Sequence, residues 1–280
     1  MTNRRPRLFL TALRMLDPNR GISIPLAFEY WGRTAIAYAQ LGEWSAALSA
    51  ASEGRRRAPR HQRLQVIDMS IAAARGDVPA LEAARARAQE VLNDPLAAPS
   101  GNALALLATR GARPGDARSL ARRWLAAARP TAIGVSPVSD VALRAVAEDW
   151  ASALPRIEPA IWDAALPHPT WVDSLDQLGS RAVVLAHLGR VDEARALEAR
   201  IAGVEGRSWN MGTPTLWRAR IAAHLGEKAR ATELAEQAVR RGALLRIGGL
   251  LTIDSDPFLV PLRDQPRFRA LAQPSPEDRP

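Results

Sequence analysis

Four histidines, at positions 61, 168, 187 and 224, are the side chains of this chain best suited to moving protons or binding metal near neutral pH. His187 and His224 each stand two residues before a glycine, Gly189 and Gly226. If those glycines mark equivalent turns, the two imidazoles face one groove from neighbouring structural units. Two ligands do not make a metal site, because zinc takes at least three protein ligands in its catalytic sites and four in its structural ones. Equivalent positions in a repeat explain the pair without a metal, so no metal or cofactor is expected. The chain has no Cys, which excludes disulfides, thiolate sites and Cys nucleophiles. Ser136, Ser139 and Asp140 share a stretch with no His nearby in sequence, which argues against a hydrolase triad. GARPG at 111–115 lacks the Gly-Lys-Ser/Thr element of a phosphate loop, and no strand pattern precedes it. Asp192 and Glu193 read as helix-start acids, and Asp254 and Asp256 as a turn. The chain is therefore expected not to be an enzyme.

Charge offers a second kind of chemistry. Of 38 basic residues, 37 are Arg, Lys228 is the only Lys, and the net charge is +9. Arg55, Arg56 and Arg57 with Arg60 and Arg63 form the densest run, followed by Arg122-Arg123 and Arg240-Arg241. All three clusters sit near the ends of helical patterns, where cations favour the helix dipole. The alternative is an Arg-rich regulatory module that binds nucleic acid or another acidic partner. The tryptophans are spaced as core anchors and do not interleave with the arginines as a single-strand groove requires.

The elements that must position these residues are helices. The sequence is 47% hydrophobic and 5% aromatic, rich in Ala and Leu, with little Val/Ile alternation. Turn glycines recur at 42, 76, 111, 189 and 226, at intervals of 34, 35, 78 and 37 residues. The long interval is about two periods. Its missing turn is expected at Glu148-Asp149-Trp150, because AEDWASAL echoes LGEWSAAL around Gly42. Small residues follow the turns at fixed offsets, as with Ala47, Ala194 and Ala231 five positions on. Two helices approach closely only where one presents little side chain. Seven positions before the turns stand Ala35, Ala182 and Ala219, with Met69 and Leu104 as exceptions, so looser packing is expected in units two and three.

The stretch Trp31–Pro59, WGRTAIAYAQLGEWSAALSAASEGRRRAP, places an early Trp, a mid-helix Tyr38, a small residue in the second helix and a closing Pro around Gly42. It resembles a tetratricopeptide (TPR) hairpin. GRVDEA at Gly189–Ala194 and DPFLVPLRDQPRFRAL at Asp256–Leu271 extend the resemblance. They are similar to the TPR segments of bacterial proteins that carry a Ser/Thr kinase or winged-helix domain. No kinase motif is present here. The resemblance implies an all-α, TPR-like α-solenoid of about six helical hairpins with a C-terminal capping segment. It reads as one domain. A half-repeat covers 1–18, and hairpins fall at about 26–59, 61–94, 97–130, 137–165, 171–204 and 213–242. A cap follows at 243–273 and a disordered tail at 274–280. Longer connections are expected near 129–138 and 163–170, where prolines cluster.

In such an array the first helix of each hairpin lines the concave face. Counting back from the glycines, that face includes Ile36, Gln40, Ser70, Val183, His187, Arg220 and His224, with Thr109 and Asp176 among its neighbours. Small apolar and a few polar residues suit an extended or helical peptide, so the expected partner is a protein or peptide segment. The Lys/Asn clamp of some chaperone-binding TPR domains is not recognisable. No apolar run approaches the roughly 18 residues a membrane span needs, and the N-terminus lacks a signal-peptide cleavage pattern. The expected location is cytoplasmic.

Overall fold

The computed structural model describes residues 24–92, 100–127, 137–157, 172–205, 211–243 and 253–272. The half-repeat at 1–18, the tail at 274–280, His168, Ser136 and the connection at 163–170 lie outside the described residues. Regular structure among the described residues is helical throughout, with no strand. The α-helices are α1 (Ile24–Gln40), α2 (Trp44–Arg57), α3 (Gln62–Ala74), α4 (Val78–Leu92), α5 (Ser100–Thr109) and α6 (Pro114–Ala127). They continue with α7 (Pro137–Ala147), α8 (Val172–His187), α9 (Val191–Ala202), α10 (Thr213–His224), α11 (Lys228–Arg240) and α12 (Pro266–Ala272). Short 3-10 helices cover Ala151–Arg156, Ile253–Ser255 and Val260–Leu262.

Tight turns fold consecutive helices onto each other as the pairs α1–α2, α3–α4, α5–α6, α8–α9 and α10–α11. In the turn after α1, Gly42 N–H donates to the Ala39 carbonyl at 3.2 Å and Glu43 N–H to the Tyr38 carbonyl at 2.9 Å. Those two bonds satisfy carbonyls that a helix end leaves open, and they require a left-handed residue at Gly42, whose φ is 78°. The turn after α7 makes the same pair of bonds around Glu148, at 3.2 and 2.9 Å, with Glu148 itself at φ 61°. The fourth unit thus keeps the turn without the glycine, and its second member is the 3-10 helix 151–156. In the third unit the left-handed residue is Ala112, at φ 53°, one position beyond the expected glycine. Gly111 serves another purpose, since a Cβ there would lie 2.5 Å from the Ala73 carbonyl oxygen of the preceding hairpin.

Within each pair the alanines form the close contacts. Ala35, Ala47, Ala182, Ala194, Ala219 and Ala231 have no exposed surface. Met69 and Leu104, the larger residues at the equivalent positions of units two and three, are equally buried. The facing second helices supply the small side chains there, with Ala84, Ala88, Ala117 and Ala121 all buried.

The first helices also touch one another, α1 against α3, α3 against α5, α5 against α7, α7 against α8 and α8 against α10. They form a continuous row. The C-terminal segment closes the last hairpin, where Ile253, Leu259, Leu262 and Phe268 join Leu216, Leu234 and the alanines of α10 and α11 in one apolar cluster. It also returns to the row, because residues Ile253–Ser255 contact α5 while Val260–Leu262 contact α10. No helix among the described residues is long and apolar enough to cross a membrane.

Candidate functional site

The site grows from a missing side chain. Gly179 on α8 lets Trp217 of α10 lie flat against the α8 backbone, where a Cβ would stand 2.1 Å from the indole Cδ2. The buried indole N–H donates to Asp176 Oδ1 at 2.7 Å. One turn along α10, the Arg220 guanidinium covers the Trp217 ring at 4.0 Å from its centroid. Held in that plane, Arg220 donates from Nε and Nη2 to Asp256 Oδ2 at 2.9 and 2.6 Å. The other carboxylate oxygen accepts the Phe258 backbone N–H at 2.9 Å. Both ions are buried, at 9% and 3% exposure, and both are hydrogen-bonded, the condition under which a buried pair is tolerated.

Phe258 completes an aromatic cluster. Its ring centroid is 5.6 Å from Trp217 and 6.5 Å from Trp150, the residue that follows the fourth turn. Trp150 in turn stacks on His187 at 4.2 Å with an interplanar angle of 19°. The Phe258 carbonyl lies 3.1 Å from His224 Nε2, so that nitrogen carries the hydrogen. His224 Nδ1 is then an acceptor, and His187 Nδ1 donates to it across 3.1 Å. Burial pushes the His224 pKa down to about 4, with the neighbouring His187 adding to the shift and the Phe258 carbonyl opposing it. His187, which is exposed on one side, is lowered as well by partial desolvation. Both imidazoles are therefore neutral near pH 7.

Of the residues expected on the concave face, His187, Arg220 and His224 are brought together here. Val183 is fully buried in the core of the same region, with no surface to offer a partner. Ile36, Gln40 and Ser70 lie apart, on α1 and α3. Ile36 packs half-buried on the first core cluster, Gln40 is half-buried, and buried Ser70 donates to the Val66 carbonyl of its own helix at 2.9 Å. Thr109 likewise donates to the Ala105 carbonyl at 2.7 Å. Sequence reasoning read Asp256 as a turn acid and gave Phe258, Trp150 and Trp217 no place in the site. The available signal was the two-residue spacing of Asp256 and Phe258, matched by Trp217 and Arg220 three apart on a helix.

The other candidate groups are engaged elsewhere. Asp140 accepts Arg144 Nε at 2.8 Å, one turn apart within α7. Arg55 pairs with Asp68, Arg56 and Arg57 with Glu53, and Arg123 with Glu82. Arg122 donates to the Ala147 carbonyl at 3.3 Å, and Arg241 to Thr215 Oγ1 at 2.8 Å. Buried Glu198 gathers Arg195, Arg218 and Arg230 from α9, α10 and α11. Burial opposes its ionisation, but hydrogen bonds from Arg230 and Arg195 outweigh it and hold the carboxyl below its usual range. The shallow basic depression beside it, lined by Arg195, Lys228 and Arg230, is neutralised by Glu198, Glu227 and Asp264. Among the described residues no group of three or more His, Asp or Glu side chains could hold a metal ion.

No family model, curated protein or solved structure matches this chain.

Proposed function

We propose that the protein is a non-enzymatic, TPR-like α-solenoid scaffold that binds a protein or peptide segment along the row of its first helices. One observation carries this reading. A non-α-helical stretch of the chain, residues 253–262, already lies against that row. It is held through a carboxylate on an arginine, an aromatic ring between tryptophans and a backbone carbonyl facing a histidine. These are the means by which peptides are recognised, combining main-chain hydrogen bonds with side-chain pockets. The repeated hairpins and the stacking of first helix on first helix support the TPR-like reading, since a solenoid leaves one extended face free for binding.

The nucleic-acid alternative draws less support, because the arginine clusters face carboxylates and carbonyls of the same molecule. An array of decapeptides probed with the full chain tests the reading. Bound peptides are expected to be lost with Arg220→Ala/His224→Ala and kept, with a salt-sensitive drop of a few fold, with Arg55→Ala/Arg56→Ala/Arg57→Ala. Loss with the arginine triple variant alone would transfer the function to an acidic partner, and the steepness of its salt dependence would identify a polyanion.

A further inference from the structure

The space between Trp150, Trp217, Arg220 and His224, filled by the chain's own Asp256 and Phe258, specifies a ligand, and this inference rests on the interaction reading above. Asp256 and Phe258 are two residues apart in an irregular stretch, with the Asp256 side chain bonded to the Phe258 N–H at 2.9 Å. That local turn presents a carboxylate oxygen and a phenyl ring on the same side. Arg220 meets the carboxylate with two donors, and the same guanidinium lies 5.4 Å from the Phe258 ring centroid. His224 reads the main chain at the aromatic residue itself, through the Phe258 carbonyl at 3.1 Å. Each contact is made to a group that any peptide with this spacing would carry. The remaining anchors of the C-terminal segment, Leu259, Leu262 and Phe268, lie in a separate cluster on α10 and α11.

We infer that the place filled by Asp256–Phe258 is a recognition site for turn-forming segments carrying a carboxylate two residues ahead of an aromatic side chain, and that Asp256–Phe258 is its ligand in cis. A partner presenting the same Asp-x-Phe arrangement competes with the chain's own segment for Arg220, the two tryptophans and His224. An arginine with two charge-assisted donors selects the carboxylate, because a neutral replacement leaves a buried guanidinium without its counter-charge. The paired tryptophans select a flat ring over an aliphatic side chain.

The test uses the full chain and a fluorescein-labelled peptide of the sequence IDSDPFLVPLR, corresponding to residues 253–263. Asp256→Asn removes the cis carboxylate while keeping its shape, and Phe258→Ala removes the cis ring. Fluorescence anisotropy is expected to show the peptide binding Asp256→Asn at least tenfold more tightly than wild type. Replacing the peptide's first Phe-proximal Asp by Ala, or adding Arg220→Ala to the protein, should weaken that binding at least tenfold. Circular dichroism should show unchanged helicity. Three results would each overturn the inference: no binding by a folded variant, equal binding of the Asp-to-Ala peptide, or failure of both variants to fold. If the folded variants bind unrelated peptides at this place with equal strength, the acid–aromatic inference fails while the broader interaction reading stands.

Discussion

Gly179 and Trp217 show how one absent side chain organises a site. Built onto Gly179, a methyl group would overlap the buried indole, which has the α8 backbone on one side and Arg220 on the other. Gly179→Ala is therefore expected to lower stability by about 1–3 kcal/mol, as overpacking does, although Ala favours helix by itself. It should also displace Trp217 and so disturb Arg220. Chemical denaturation with tryptophan fluorescence reads both effects, and a variant as stable as wild type would contradict the packing described. His224 makes a pH-dependent contribution. In the unfolded chain it takes up a proton near 6.5, and in the folded protein only near 4, because burial disfavours the charge. Between those values the unfolded chain binds more protons, so the contribution is complete above pH 6.5 and is lost as pH falls toward 4. It amounts to something on the order of 3 kcal/mol. The groups facing it are His187, Trp150 and the Phe258 carbonyl, with the Arg220–Asp256 pair beyond. Glu198, held below its usual range, also loses its contribution on acidification, so the comparison must be made against His224→Gln. Wild type is expected to lose more stability than His224→Gln between pH 7 and 4.5. Parallel losses would show that His224 is not responsible.

At the scale of elements, the turns and the helix faces were legible in the sequence for physical reasons. A tight helix-to-helix turn needs a left-handed residue, and glycine adopts that geometry freely, so Gly42, Gly76, Gly189 and Gly226 announce themselves. Ala112 and Glu148 fill the same role at a conformational cost, which explains why the third turn is offset by one residue and the fourth had to be inferred from an echo. The cost can be measured. Ala112→Gly is expected to stabilise the protein by about 1 kcal/mol, and Gly226→Ala to destabilise it by a similar amount. A Cβ at Gly226 would meet nothing within 4 Å, so any effect there reports the backbone alone. Equal melting temperatures for both variants and wild type would contradict the turn geometry. The site was half legible. His187, Arg220 and His224 follow from repeat register, because equivalent offsets place them on equivalent faces. Asp256 and Phe258 do not, since they lie outside the periodic part and reach α10 through a tertiary return. Nor does periodicity separate Ser70 and Val183, which are buried, from true surface positions, because a first helix is covered on one side by its partner helix and on another by the next first helix.

For the molecule as a whole, the first helices join hairpin to hairpin in a continuous row. The C-terminal segment contacts that row at α5 and again at α10, and its Phe258 reaches Trp150 after the fourth turn. On the interaction reading proposed above, a row that accommodates one such segment accommodates a partner's segment as well. Where a bound segment lies decides between binding on the first helices and binding elsewhere. Amide hydrogen exchange on the full chain, with and without saturating amounts of the tightest decapeptide recovered from the array, reads that position directly. The expected result is a change in exchange confined to α8, α10, the turn at 148–150 and residues 253–262. Changes confined to the second helices α2, α4 and α6, with α8 and α10 unaltered, would contradict the account.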